Sequence, residues 1–167
     1  MLQAVIFYTL AIAAVIAGLV VVTRRNPISA AIALVVAFFF QAALYVLLDA
    51  HFVAVTQVLV YAGAIMVLFI FVIMLLNLRG EDGTALPQPS GRALVGLAVA
   101  GMVGTGLVTS LDALRRVDMG PVAEDFGTIQ QVGNLIFNGT YLLPFEVASV
   151  LLTVAMVGAV VLAKREL

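Results

Sequence analysis

Five apolar stretches, each about as long as a bilayer is thick, dominate this sequence. They run roughly over 2–23, 28–48, 52–77, 93–111 and 144–163. A membrane helix needs about 20 mostly apolar residues at 1.5 Å rise each. These stretches lack the polar–apolar alternation of barrel strands and are much longer than such strands. The expected fold is therefore an all-α membrane protein with five transmembrane helices, forming a single transmembrane domain over 1–167. Composition agrees. Only 10% of residues are charged, 64% are hydrophobic and the mean hydropathy is +1.22. A soluble domain carries about 25% charged residues to cover its surface. The N-terminal Met1-Leu2-Gln3 lacks the positive region of a signal peptide, so the first stretch is expected to persist as a helix.

The breaks between spans are chemically marked. Arg24-Arg25-Asn26-Pro27 separates the first two, with Pro27 suited to open a helix. Asp49-Ala50-His51 makes a short turn between the second and third. The segment from Arg79 to Arg92 is polar and holds Pro87 and Pro89, a loop composition. An external N-terminus would put Arg24, Arg25, Arg79, Arg92, Lys164 and Arg165 on one side and only Arg115 and Arg116 on the other. The positive-inside rule then predicts an external N-terminus and a cytoplasmic C-terminus. The long loop at about 112–143 would be external. Within it Thr128 can cap a short amphipathic helix with Ile129, Val132, Leu135 and Ile136 on one face, ended by Gly139, lying on the membrane or against a partner.

Several chemistries are excluded. The chain has no cysteine and one histidine, His51. It therefore supplies no disulfide, thiolate metal site or iron–sulfur ligation, and His51 cannot build a zinc or haem site alone. A net charge of −1 offers no field for nucleic acid. No metal, cofactor or nucleotide is expected to bind this chain by itself.

Intramembrane ionisable groups mark proton and ion paths, yet no Asp, Glu, Lys, Arg or His lies near the middle of a span. A self-sufficient proton carrier would need one. Glu146, after Pro144, is expected in the first turn of the last span. There it serves either the helix dipole and backbone capping, or a proton relay or partner contact. Asp49 and His51 read as solvated turn residues. In the third span Gln57 and Tyr61, four apart, would share a helix face. Tyr61 lies roughly 14 Å along that helix, near the bilayer midplane. Gly63 adds a backbone weak point. Two readings stand there: close helix packing on small residues, or a deformable segment beside a water path. Gly96, Gly101, Gly104 and Gly106 in the fourth stretch, and Ala155 and Ala159 in the fifth, suit close packing or a flexible lipid-facing helix.

Three segments together carry a family resemblance. The first is Asn26-Pro27-Ile28-Ser29-Ala30-Ala31. The second is Gln57-Val58-Leu59-Val60-Tyr61-Ala62-Gly63-Ala64-Ile65-Met66-Val67-Leu68-Phe69, running on to Val72-Ile73-Met74-Leu75-Leu76. The third is Leu143-Pro144-Phe145-Glu146-Val147-Ala148-Ser149-Val150-Leu151-Leu152, followed by Val154-Ala155-Met156-Val157-Gly158-Ala159. In order and content the chain resembles the NuoJ-type membrane subunit of NADH–quinone oxidoreductase, respiratory complex I, whose mitochondrial counterpart is NADH dehydrogenase chain six. The resemblance implies a non-redox subunit placed between quinone-side and antiporter-like subunits. The FMN, iron–sulfur clusters, NADH and quinone belong to the assembled complex. It implies a bacterial inner membrane, or the mitochondrial one in a eukaryote. It also implies a π-bulge around Tyr61, Ala62, Gly63 and Ala64, whose conversion to regular helix links quinone chemistry to proton pumping. From the residues themselves, the candidate gating segment runs from Tyr61 to Val67, and Gln57 and Glu146 are candidate polar relay or partner contacts. The alternatives are an autonomous secondary transporter, against which five unequal spans without an inverted repeat argue, and the equivalent subunit of a related antiporter or hydrogenase complex.

Overall fold

The computed structural model describes residues 1–76, 91–114, 126–139 and 141–164. Among them are helices and turns only. We number the helices α1 (Leu2–Thr23), α2 (Pro27–Leu47), α3 (His51–Leu75), α4 (Gly91–Leu114), α5 (Ile129–Phe137) and α6 (Leu142–Ala163). Four of these, α1, α2, α3 and α6, are long and apolar enough to cross a membrane. The predicted fifth span, 93–111, falls within α4, a helix of 24 residues in which Ala98–Ser110 is apolar among the described residues. The predicted loop 79–92 lies mostly outside the described residues.

The chain divides into two units, Met1–Leu78 with Glu124–Leu167, and Arg79–Ala123. The helix α4 belongs to the second and is described by itself. Thr105 and Ser110 turn their hydroxyls onto the carbonyls of Gly101 and Gly106, as hydroxyl residues do in apolar helices. A Cβ at Gly96, Gly101, Gly104 or Gly106 would meet nothing within 4 Å.

In the first unit α2 is the central helix. It packs against α1 and along the whole of α3. Among the described residues five of the seven buried apolar ones are alanines, namely Ala17, Ala31, Ala42, Ala54 and Ala62. Small side chains let membrane helices approach until their backbones touch, and van der Waals contact replaces the missing hydrophobic drive. The larger core is Met66 and Ile73 of α3 on Ala31 of α2, with Leu34, Val35, Phe38 and Ile70 around them.

Local chemistry sets the helix ends. Asn26 Oδ1 accepts from the backbone N–H of Ile28 (2.9 Å) and Ser29 (3.3 Å), and Pro27 occupies the first helical position, where no N–H is needed. The helix α2 ends in a Schellman motif. Ala50 N–H donates to Tyr45 O, Asp49 N–H to Val46 O, and Asp49 takes the left-handed conformation at φ 57°. His51, expected in the turn, is the first residue of α3.

The amphipathic helix α5 starts after Thr128, whose Oγ1 accepts from Gln131 N–H, while Gln131 Oε1 accepts from Gly127 N–H. These reciprocal bonds satisfy two donors at the helix start, as a capping box does. Of its predicted apolar face, Val132 and Ile136 are half-buried, whereas Ile129 and Leu135 stay exposed. The helix is two and a half turns long and meets only the start of α3 and the start of α6, too little surface to cover the whole face. Phe137 joins it to α6 through an edge-to-face contact with Phe145 at 5.3 Å. Among the described residues α6 packs on α5 alone and has no buried residue, Ala155 and Ala159 included.

Glu146 is not in the first turn of the last span. The helix begins at Leu142, two residues ahead of Pro144, so Glu146 is its fifth residue. Proline is tolerated throughout a first turn, because none of those N–H groups has an intrahelical acceptor. Pro144 therefore sits inside the helix rather than marking its start.

Candidate functional site: a π-helical segment in the third span

The helix α3 is not regular. His51–Thr56 and Met66–Leu75 are α-helical, and the nine residues Gln57–Ile65 between them form a π-helix. At its exit Met66 N–H still reaches back five residues to Tyr61 O. Single-turn π-bulges are rare and concentrate at functional positions; nine residues exceed one such turn. Tyr61, Ala62, Gly63 and Ala64 lie inside the segment. Val67 does not, being the second residue of the regular helix that follows.

The π geometry changes which side chains face α2. Along α3 the buried residues are Ala54, Gln57, Ala62, Met66 and Ile73. The intervals are three, four or seven everywhere except between Gln57 and Ala62, where the step is five. A regular helix brings positions three and four apart onto one face. The expectation that Gln57 and Tyr61 share a face is thus corrected. Gln57 is 6% exposed and Ala62 7%, while Tyr61 is 46% exposed. One extra residue per turn puts the small Ala62 where a regular helix would put the tyrosine ring.

Gly63 sits against this irregular backbone. A Cβ added there would stand 3.3 Å from the Val58 carbonyl oxygen, five residues back and tighter than ordinary contact. The segment thus tolerates a methyl group only with a small shift, and β-branching less. Tyr61 is held at its ring edge by Phe38 of α2, with centroids 5.8 Å apart and planes at 68°. Such pairs contribute about 0.5–1.5 kcal/mol beyond burial.

Three residues at this site were not singled out from sequence: Phe38, Gln41 and Tyr45, all on α2. Gln57 Nε2 donates to Gln41 Oε1 at 3.3 Å, and Gln41 Nε2 donates to the Tyr45 hydroxyl at 3.3 Å. Interhelical bonds of this kind average about 0.6 kcal/mol in membranes. The available signal was Gln41 itself, an amide in an otherwise apolar run with Tyr45 one turn on.

Glu146 is not part of this cluster. Its side chain is exposed on α6, at one end of an open groove lined further by Val147, Val150, Leu151 and Val154. Asp49, in the turn before α3, and His51, at its start, are both exposed. Among the described residues no three His, Cys, Asp or Glu side chains converge. With no cysteine in the chain, it offers no thiolate for an iron–sulfur cluster or a thiolate zinc site.

Known proteins place this architecture. The family model for NADH-ubiquinone/plastoquinone oxidoreductase chain 6 matches residues 17–162. The chain is 42% identical to NAD(P)H-quinone oxidoreductase chain 6 of Synechocystis sp., over 99% of this chain and 82% of that one. It is 38% identical to NADH-quinone oxidoreductase subunit J of Rhodobacter capsulatus, over 95% and 80%. It is 35% identical to F(420)H(2) dehydrogenase subunit J of Methanosarcina mazei, over 99% and 93%. The protein is thus a multi-pass membrane protein that belongs to the NADH-ubiquinone/plastoquinone oxidoreductase chain 6 family.

Proposed function

We propose that this chain is a non-redox membrane-arm subunit of a proton-translocating NADH:quinone oxidoreductase, and that its π segment is a gate between quinone reduction and proton movement. One observation carries the gating reading, the five-residue step of the buried face from Gln57 to Ala62. Conversion to a regular helix replaces Ala62 by Tyr61 at the α2 contact. It carries a phenol ring and a hydroxyl that can donate and accept hydrogen bonds into a position now held by a methyl group. Near the midplane of an uncharged span, that exchange makes or breaks a place for ordered water. A gating equilibrium needs only a few kcal/mol between its states.

The relatives' names bear on the division of labour. They cite NADH, NAD(P)H and F(420)H(2) as donors for one and the same kind of subunit. A subunit shared across donors serves the quinone-linked, proton-moving side of such an assembly. FMN, iron–sulfur clusters, NADH and quinone then belong to other subunits. The partners are the quinone-side and antiporter-like subunits, and the exposed surfaces of α1 and α6 are where such helices or lipid would pack. The chain lies in a bacterial plasma membrane with the N-terminus outside.

Deleting Leu59, an exposed residue between Gln57 and Ala62, tests the gate. The deletion lets both neighbours keep their faces in an unbroken α-helix, shortened by about 1.5 Å. The assembled complex should still pass electrons from NADH to an artificial acceptor and lose most quinone-coupled pumping. Wild-type pumping in the deletion complex would end the gating reading.

A further inference from the structure

Gln57 is the one buried polar side chain among the described residues, and it sits at the leading edge of the π segment. Its amide reaches across to Gln41, and Gln41 is itself braced one turn on by the Tyr45 hydroxyl. We propose that Gln41 and Gln57 are positioning residues: their amide pair pins the leading edge of the segment to α2, so that conversion to regular helix turns only the residues after Gln57. The proposal rests on the gating reading and specifies which part of α3 moves.

A π-helical insertion can relax in two ways. Removing it rotates one flank against the other by one residue's share of a turn, about 100°. If the His51–Gln57 flank turns, Gln57 leaves Gln41, and a buried amide loses its partner in a medium with no water to replace it. If the later flank turns, the pair stays intact.

Two further features hold the early flank. The connection to α2 is only Leu48, Asp49 and Ala50, locked by the Ala50 and Asp49 N–H bonds to Tyr45 and Val46. Gly127, at φ +74°, lies on that turn so closely that a Cβ built there would collide with the Asp49 carbonyl oxygen. Among the described residues the late flank is held by the ring contact of Tyr61 with Phe38 and by the apolar contacts of Met66 and Ile73 with α2. Side chains in such contacts exchange for one another without leaving a polar group unpaired. With Gln57 fixed, the regular helix presents Tyr61, Ile65 and Val72 to α2 where Ala62, Met66 and Ile73 now stand. The replacements at the second and third positions are apolar for apolar. Only the first introduces a polar atom, so the polar change of the transition is confined to Tyr61.

The test uses the whole complex in membranes. Gln57→Leu and Gln41→Leu should each lower quinone-coupled pumping about threefold, the population shift that one membrane hydrogen bond of average strength supports. Electron flow from NADH to an artificial acceptor should stay unchanged. The double variant should be no worse than the poorer single variant, because either loss already opens the pair. The decisive arm is rescue. The double variant Gln41→Cys with Gln57→Cys should be impaired like the leucine variants, and a short reducible thiol cross-linker joining the two positions should restore pumping until it is cleaved. The new thiols are unique within this chain.

Cross-linking that abolishes pumping in a complex still active with the artificial acceptor would show that the early flank must move, and would overturn the proposal. Normal pumping in all the glutamine variants, beside a defect in the Leu59 deletion, would also overturn it while leaving the gate standing. Normal pumping in the deletion as well would remove the gate, and the pin with it. Failure of every glutamine variant to assemble would reduce the pair to helix packing.

Discussion

Gln57 and Ala62 lie five residues apart and both face α2, while Tyr61, four residues from Gln57, stays half exposed. The relationship reverses the expectation for a regular helix and follows from the π turn between them. It also sets the chemistry at the centre of the protein. The tight position is filled by a methyl group, and the phenol is kept beside it, braced by Phe38.

Gly63 should be sensitive to side-chain shape. Gly63→Ala meets only Val58 O at 3.3 Å and should be mild. Gly63→Val adds branching in a crowded turn, and overpacking of this kind costs about 1–3 kcal/mol. That is comparable to the difference between two gating states. Gly63→Val should therefore lower quinone-coupled turnover several-fold with electron flow to an artificial acceptor preserved. Leu76→Val, past the end of α3, is the mild control. Loss of the assembled complex instead would assign Gly63 to packing.

Gly127→Ala should harm assembly rather than coupling. The residue has φ +74°, and an added Cβ would run into the Asp49 carbonyl and Ala50. A left-handed conformation costs a non-glycine residue about 1–2 kcal/mol before any clash. Thermal release of this subunit from detergent-extracted complex should occur at lower temperature than in wild type. An unchanged release temperature would show that the loop yields at no cost.

Glu146→Gln should cost less than Gly63→Val. Glu146 lies beyond the first turn of α6, where the helix dipole has largely faded, so removing its charge sacrifices little capping energy. Glutamine keeps the hydrogen-bonding oxygen. Loss of nearly all pumping in a normally assembled Glu146→Gln complex would show that the carboxylate carries protons or pairs with a partner cation.

The six-to-two distribution of Lys and Arg predicts that cysteines introduced by Thr84→Cys and Arg115→Cys react with an impermeant thiol reagent from opposite sides of the membrane. Reaction of both from outside intact cells would overturn the orientation.

Much of the fold was legible in the sequence because its signals are local. Asn26-Pro27 carries its own helix start, Thr128 its own cap, and twenty-residue apolar runs have few other folds open to them. Two things were not legible, each for its own physical reason. Periodicity assumes 3.6 residues per turn, so the face containing Gln57 and Ala62 cannot be read by counting, and Tyr61 is assigned inward by the same count. Gln41, Tyr45 and Phe38 become part of the site only when α2 and α3 pair, and no local spacing announces which residues meet across helices. Glu146 was misplaced by a simpler ambiguity, since a proline fits any position of a first turn.

A change of register in α3 can be seen directly by electron cryomicroscopy of the whole complex frozen during steady coupled turnover. Two classes of particles are expected. In one, Gln57 and Ala62 face α2 across a π turn. In the other, Gln57 and Tyr61 face α2 in an unbroken helix, and the populations shift when quinone is withheld. A single register with Ala62 inward in every class, in a preparation shown to be pumping, would contradict it.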